Sequence, residues 1–266
     1  MLTLILSLLV MAGVWSGLRY GAGMQGPWDV VIAVLAGIGL YVGAMLLVRR
    51  WVGAIMDGIQ KRIADKNNTL MRKYQQMGSR GGNVKLLMDQ ARKDQNVVLA
   101  EALEATRKLD IYVKWSPLLD WQINAIRIQF LYSLRKFEEV DRLLPKALLT
   151  DPLLGCMKMC RHYQRGEEAD LEKAYNKFRK KFKQESALVY ATYAWMLLRK
   201  KQREKALKVL VDGKTATENE VLEKNWEIVA NDKISHFSNA GFGEAWYALL
   251  LEEPKPPKQR VQMKRF

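Results

Sequence analysis

Two apolar stretches at the start of the chain, residues 2–18 and 28–48, constrain what it can fold into more than any other feature. Segments this long and this hydrophobic must be covered by protein or by lipid. The only charges before residue 49 are Arg19 and Asp29. At about 1.5 Å rise per residue the second stretch reaches about 30 Å, the thickness of a bilayer's hydrocarbon core; the first is near the short limit for a span. Residues 19–27, Arg-Tyr-Gly-Ala-Gly-Met-Gln-Gly-Pro, are rich in turn formers and leave room for a tight connection. Residues 1–48 therefore read as a two-helix transmembrane hairpin. A cleaved signal peptide is the competing reading of residues 1–18, but they lack a basic n-region and a convincing A-x-A site.

Charge sets the orientation. Arg49, Arg50, Lys61, Arg62, Lys66, Arg72 and Lys73 follow the second span, against Arg19 alone in the connection, an excess that marks the cytoplasmic side. Both termini and the body are expected in the cytoplasm of a bacterium, at its inner membrane, where free Cys156 and Cys160 suit a reducing compartment. Gly13-x-x-x-Gly17 and Gly39-x-x-x-Gly43 allow close helix approach, either within the hairpin or between copies.

Residues 49–82 form the next segment. Val52, Ile55, Ile59, Ile63, Leu70, Tyr74 and Met77 draw the stripe of an amphipathic helix that runs on from the membrane. Its opposite face is basic, and Arg49, Arg50, Lys61 and Arg62 are the candidate lipid-facing residues, placed to meet anionic headgroups. The run Gly78-Ser-Arg-Gly-Gly82 is expected to end the helix and act as a hinge.

From residue 84 onward Gly and Pro are scarce and apolar residues recur at the helical period, so the body, residues 83–253, should be all-α. A second period overlies the first. Val140, Ala174 and Ala206 occupy equivalent small positions at spacings near 34 residues, the length of a helix-turn-helix unit. The unit at residues 121–154 places Ile128 and Leu131 on one helix and Val140, Leu144 and Ala147 on the next, with Pro152 as terminator. The unit at 187–220 repeats this with Tyr190, Tyr193, Ala194, Leu197, Ala206 and Leu210, while the middle unit, 155–186, departs at His162 and Lys181. This pattern resembles the tetratricopeptide repeat (TPR) family over about 100 residues. The layout is similar to that of HemY-like inner-membrane TPR proteins, which also begin with two spans. Residues 84–113 are expected to add a helical hairpin before the repeats, and 221–230 and 243–253 a closing pair. Residues 254–266 are a basic, Pro-containing tail.

The resemblance implies a short α-solenoid whose first helices line a concave face. On it fall Gln129, Tyr132, Met159, Tyr163 and Trp195, with Arg199, an apolar and aromatic set suited to a hydrophobic helix or an extended protein segment. The competing reading makes several of these side chains ordinary core. The net charge of +15 admits another mode, a membrane-attached binder of nucleic acid or anionic lipid acting through the helix around Lys173–Lys183 and the run Arg199-Lys-Lys-Gln-Arg203. No zinc finger or RNP motif accompanies these charges, so nucleic acid is the less favoured partner.

Chemistry is poorly supplied. Two Cys and two His are too few for a usual metal site, and no phosphate-binding glycine loop or nucleophile–base pairing stands out. The expectation is a non-enzymatic membrane scaffold with no cofactor and no small-molecule substrate.

Overall fold

The computed structural model describes residues 2–24, 26–79 and 84–254, and these contain helices and turns but no strand. The chain divides into two compact units, Met1–Leu148 and Leu149–Phe266, a division that falls inside the body predicted for residues 83–253.

In the first unit, α1 (Leu2–Ser16) runs into a wider turn at Gly17–Gly21. Helix α2 (Pro27–Ser79) is 53 residues long, about 80 Å, and crosses the change from apolar to basic sequence without a break. Residues Leu2–Gly21, α1 together with that turn, and α2 are each long and apolar enough to cross a membrane. Helix α1 packs on α2. Gly37 permits the approach, since a Cβ there would lie 3.1 Å from Met11 Cβ and 3.2 Å from the Ser7 carbonyl oxygen. Gly13, Gly17, Gly39 and Gly43 have nothing within 4 Å of that position, so neither small-residue motif mediates this packing. The two charges of the apolar region meet: Arg19 lies 3.6 Å from the carboxylate of buried Asp29, which also accepts from the Val30 amide at 2.7 Å.

Helices α3 (Val84–Ala105), α4 (Asp110–Val113), α5 (Pro117–Ser133) and α6 (Phe137–Leu143) complete the unit. Residues 84–113 do not form a hairpin of their own. Helix α3 instead pairs with α2, because the α2 stripe requires an apolar cover: Ile59, Val98 and Ala102 are buried, and Val48 with Val52, Ile55 and Met56 packs on Leu109, Leu119 and Ile123. Lys66 pairs with Glu101, while Asp94 accepts from Lys73 at 2.9 Å and Tyr74 at 2.7 Å. Those two donors hold the Asp94 carboxyl below its ordinary range, the Lys73 hydrogen bond being the larger cause. From Val52 to Tyr74 the stripe is thus covered by this chain itself, while Met77 stays exposed. The start of α1 docks where α4 ends, with the Leu2 amide donating to the Lys114 carbonyl at 2.9 Å and the Thr3 hydroxyl to that of Trp115 at 2.6 Å. Helix α6 is shorter than expected. Pro145 lacks the N–H needed to continue it, so Leu144–Lys146 tightens into a 3₁₀ turn and Ala147 is extended. Of the hinge at 78–82, Gly78 and Ser79 are still helical and residues 80–83 lie outside the described residues.

The second unit holds α7 (Pro152–Gln164), α8 (Glu168–Phe182), α9 (Ala187–Arg199), α10 (Arg203–Thr217), α11 (Glu220–Ala230) and a single turn, α12 (Glu244–Tyr247). Pro152 opens α7 rather than only stopping what precedes it, and Asp151 caps the Leu153 amide at 2.8 Å. Consecutive helices pack from α7 to α11, and α7 also packs on α9. Phe178 and Phe182 point inward as their four-residue spacing requires. The closing pair is incomplete: after α11 the chain forms short turns at Ile234–His236 and Ala240–Phe242, and helix resumes only at α12. The tail, from residue 255, lies outside the described residues.

One local device recurs in both units. Helices α5, α7, α9 and α11 each end with a pair of backbone bonds in the same register: Arg135 to Tyr132 and Lys136 to Leu131; Gly166 to Tyr163 and Glu167 to His162; Lys201 to Leu198 and Gln202 to Leu197; Asp232 to Val229 and Lys233 to Ile228. This is the Schellman cap, with the left-handed residue at Arg135, Gly166, Lys201 and Asp232.

Candidate functional site

Of the six residues expected to line a groove, Gln129 and Tyr132 belong to the first unit. Tyr132 is fully buried against Phe137, at 5.4 Å between ring centroids, and Gln129 is half-buried. The other four belong to the second unit. Met159 is fully buried, Tyr163 is half-buried and Arg199 is exposed. Trp195 is only 8% exposed. Tyr132 and Met159 are therefore core side chains with no open surface, and Trp195 keeps only a little.

What covers Trp195 is the chain's own C-terminal segment. Its indole donates to Glu252 at 2.7 Å, and the indole of Trp246 donates to the other oxygen of the same carboxylate at 3.0 Å. The two rings stand edge to face at 6.0 Å, Tyr163 stands edge to face with Trp195 at 6.1 Å, and the Arg199 guanidinium lies over the Trp195 ring at 4.9 Å. Arg199 also approaches Glu252 at 3.6 Å. A carboxylate accepting two N–H bonds beside a cation satisfies groups that would otherwise be costly to bury.

A second lock lies in the preceding loop. Asn225 on α11 donates to the Asn239 side chain at 2.8 Å and to the Ser238 carbonyl at 3.1 Å, and its own oxygen accepts from the Ser238 amide at 3.3 Å. Asn239 in turn donates to the Ala191 carbonyl of α9 at 3.1 Å. Both asparagines are buried. Sequence reading missed them, although Asn225 carried a signal: it stands between Leu222 and Val229 on the buried face of α11, where a polar residue requires internal partners.

Beside this covered region a concavity of about 320 Å³ remains, lined by Trp195, Leu198, Arg199, Ile234, Phe237 and Glu252 together with Ser235. It joins an apolar wall to a cation and a carboxylate, with Ile234 and Arg199 reaching solvent.

The remaining candidates fall as follows. Arg49, Arg50, Lys61 and Arg62 are all exposed along α2. Lys173, Lys177 and Lys180 are exposed on α8, whereas Lys181 donates its ammonium to the Leu149 carbonyl at 2.5 Å and Lys200 pairs with Glu168 at 2.7 Å. Cys156 and Cys160 are buried, and burial pushes the Cys156 thiol up to about 12. His162 bonds Glu167 at 2.7 Å and, with Asp170, brings three possible ligand atoms within 4.8 Å of one another. Arg165 and Lys173 already pair with those carboxylates, and the His162 bond, followed by Arg165, holds Glu167 below its ordinary range. The cluster is explained as the closure of the α7–α8 turn.

No family model matches the chain, and neither a characterised protein nor a solved structure is significantly similar to it.

Proposed function

We propose that this chain is a membrane-anchored adaptor: a two-helix transmembrane hairpin that holds a TPR-like helical body at the cytoplasmic face of a bacterial inner membrane, where it recruits a protein. The observation that carries this reading is α2. One uninterrupted helix supplies both the apolar span and the surface on which α3 and α5 pack, so the anchor and the first unit share a single rod. Confinement to a membrane raises the effective concentration of a binding surface near membrane-bound partners, so modest affinity suffices. Four equally capped helices support the repeat reading. The recruiting surface is the concavity beside Trp195, with Ile234, Phe237 and Arg199 as its contacts and Trp195 as its floor. It suits an extended segment carrying an apolar residue next to a carboxylate. The mode of action is binding rather than catalysis.

Alkaline carbonate extraction tests the anchor, which should stay with the membrane pellet. A photoreactive residue at Ile234, crosslinked in native membranes, tests the surface. It should trap a small recurrent set of proteins, and Arg199→Glu should remove them. If the trapped set is indifferent to Arg199→Glu but lost when Lys173, Lys177 and Lys180 are neutralised, recruitment runs through the basic face of α8, and the alternative anionic-partner reading replaces this one.

A further inference from the structure

A cleft in the first unit lies where the apolar part of α2 gives way to its basic part. It encloses about 540 Å³ between α2 and the start of α5, and Tyr41, Met45, Arg49, Ser116, Leu118 and Gln122 are among its lining residues. That volume is within the range of about 300–1,000 Å³ usual for sites that bury a small organic molecule. Its α2 wall extends from Tyr41, inside the apolar span, to Val52, beyond the first arginines, so it bridges the levels of acyl chains and headgroups.

Three further observations bear on its occupant. Arg49 supplies a cation at the polar level of the wall. Helix α5 begins at Pro117 with no side-chain cap from Ser116, so its 17 residues turn the positive end of the helix toward the same region; Asp120, in that first turn, does not line the cleft. Leu118, which lines the cleft, is 52% exposed, and Trp51 and Trp121, each next in sequence to a lining residue (Val52 and Gln122), are 54% and 49% exposed. Trp at this level is the usual mark of a membrane interface. The lipid-facing surface of α2 continues directly into the cleft through exposed Val42 and Leu46.

We propose that this cleft binds one anionic glycerophospholipid, with its phosphate between Arg49 and the first turn of α5 and an acyl chain along Met45 and Leu118. The inference rests on the membrane-anchored reading. It goes beyond a general attraction of basic residues to headgroups, because it assigns a stoichiometric site to particular side chains. A bound lipid would fix the level of α5 against α2 and so the depth at which the first unit sits.

The full chain, purified from membranes in a mild non-ionic detergent, is titrated with dioleoyl phosphatidylglycerol or dioleoyl phosphatidylcholine and followed by native mass spectrometry. One phosphatidylglycerol should be retained, with about tenfold preference, because both lipids offer Arg49 the same phosphate but the choline cation of phosphatidylcholine is repelled by it. Arg49→Gln should abolish the preference, and Leu118→Glu, at an exposed position where folding is undisturbed, should reduce retention of both lipids. Arg142→Gln, exposed and off the cleft, should change nothing. Equal retention of the two lipids, or equal losses from Arg142→Gln and Arg49→Gln, overturns the site. The readings separate cleanly: a chain released by alkaline carbonate removes the membrane anchor, whereas a chain that stays embedded but retains no stoichiometric phosphatidylglycerol removes only the cleft.

Discussion

Asn239→Ala is the most informative single change in the second unit, because it tests whether the C-terminal segment is locked over Trp195 by buried hydrogen bonds. The substitution removes the acceptor of one Asn225 N–H, at 2.8 Å, and the donor to the Ala191 carbonyl, at 3.1 Å. Asn225 keeps its bond to the Ser238 carbonyl, so one buried N–H is stranded and one carbonyl loses a partner. At about 1–3 kcal/mol for each stranded group, with the carbonyl at the low end because a helical carbonyl retains its own bond, the expected loss is about 2–4 kcal/mol. This corresponds to a fall of roughly 5–15 °C in Tm for a unit of this size. Asn239→Asp discriminates hydrogen bonding from mere packing. The carboxylate can still accept from Asn225 but faces the Ala191 carbonyl without a donor, so at pH 7 it should be at least as damaging as Ala. Thermal unfolding of the full chain in detergent, followed by near-UV circular dichroism of its tryptophans, measures both. A Tm unchanged by Asn239→Ala, or Asp milder than Ala at neutral pH, would refute the lock. Loosening the lock should also raise the accessibility of Trp195 to a collisional quencher.

Three other outcomes are expected. Gly37→Val should separate α1 from α2 and lower Tm, an overpacking cost of about 1–3 kcal/mol, while Gly39→Val and Gly43→Val should be nearly silent in the monomer; limited proteolysis in detergent reads the difference. Lys201→Gly should stabilise by about 1 kcal/mol, because Lys201 holds φ 59° at an exposed turn, and Gly166→Ala at φ 72° should cost a similar amount in urea titrations. The Cys156 thiol keeps its proton in the folded chain well past its ordinary value of 9.0, up to about 12, so the folded state binds more protons over that window. Its contribution to stability is full below about pH 9 and is lost as pH rises toward 12; Cys156→Ala should flatten that alkaline decline in denaturant titrations, and alkylation of the wild-type thiol should track global unfolding.

The sequence by itself determined what composition and period can carry. Two uninterrupted apolar stretches had to become long helices, a 3.6-residue period had to become an all-helical body, and Phe178 and Phe182 had to turn inward, since each follows from local spacing and the cost of wetting apolar surface. The helix pairs α7–α8 and α9–α10 were legible from the spacing of Ala174 and Ala206, both buried in the structure. Their caps were legible only at Gly166. Arg135, Lys201 and Asp232 adopt the same left-handed conformation without glycine because two backbone bonds per turn offset its cost. Tertiary structure alone decided which surfaces remain free. An amphipathic stripe on α2 and an aromatic row ending at Trp195 look identical in sequence whether a partner, a lipid or the same chain covers them. Here α3 and α5 cover most of the first, and a segment some 50 residues downstream, fastened by Asn239, Trp246 and Glu252, covers Trp195 at the end of the second. Side-chain spacing encodes that a face must be buried, and only the long-range path of the chain settles against what.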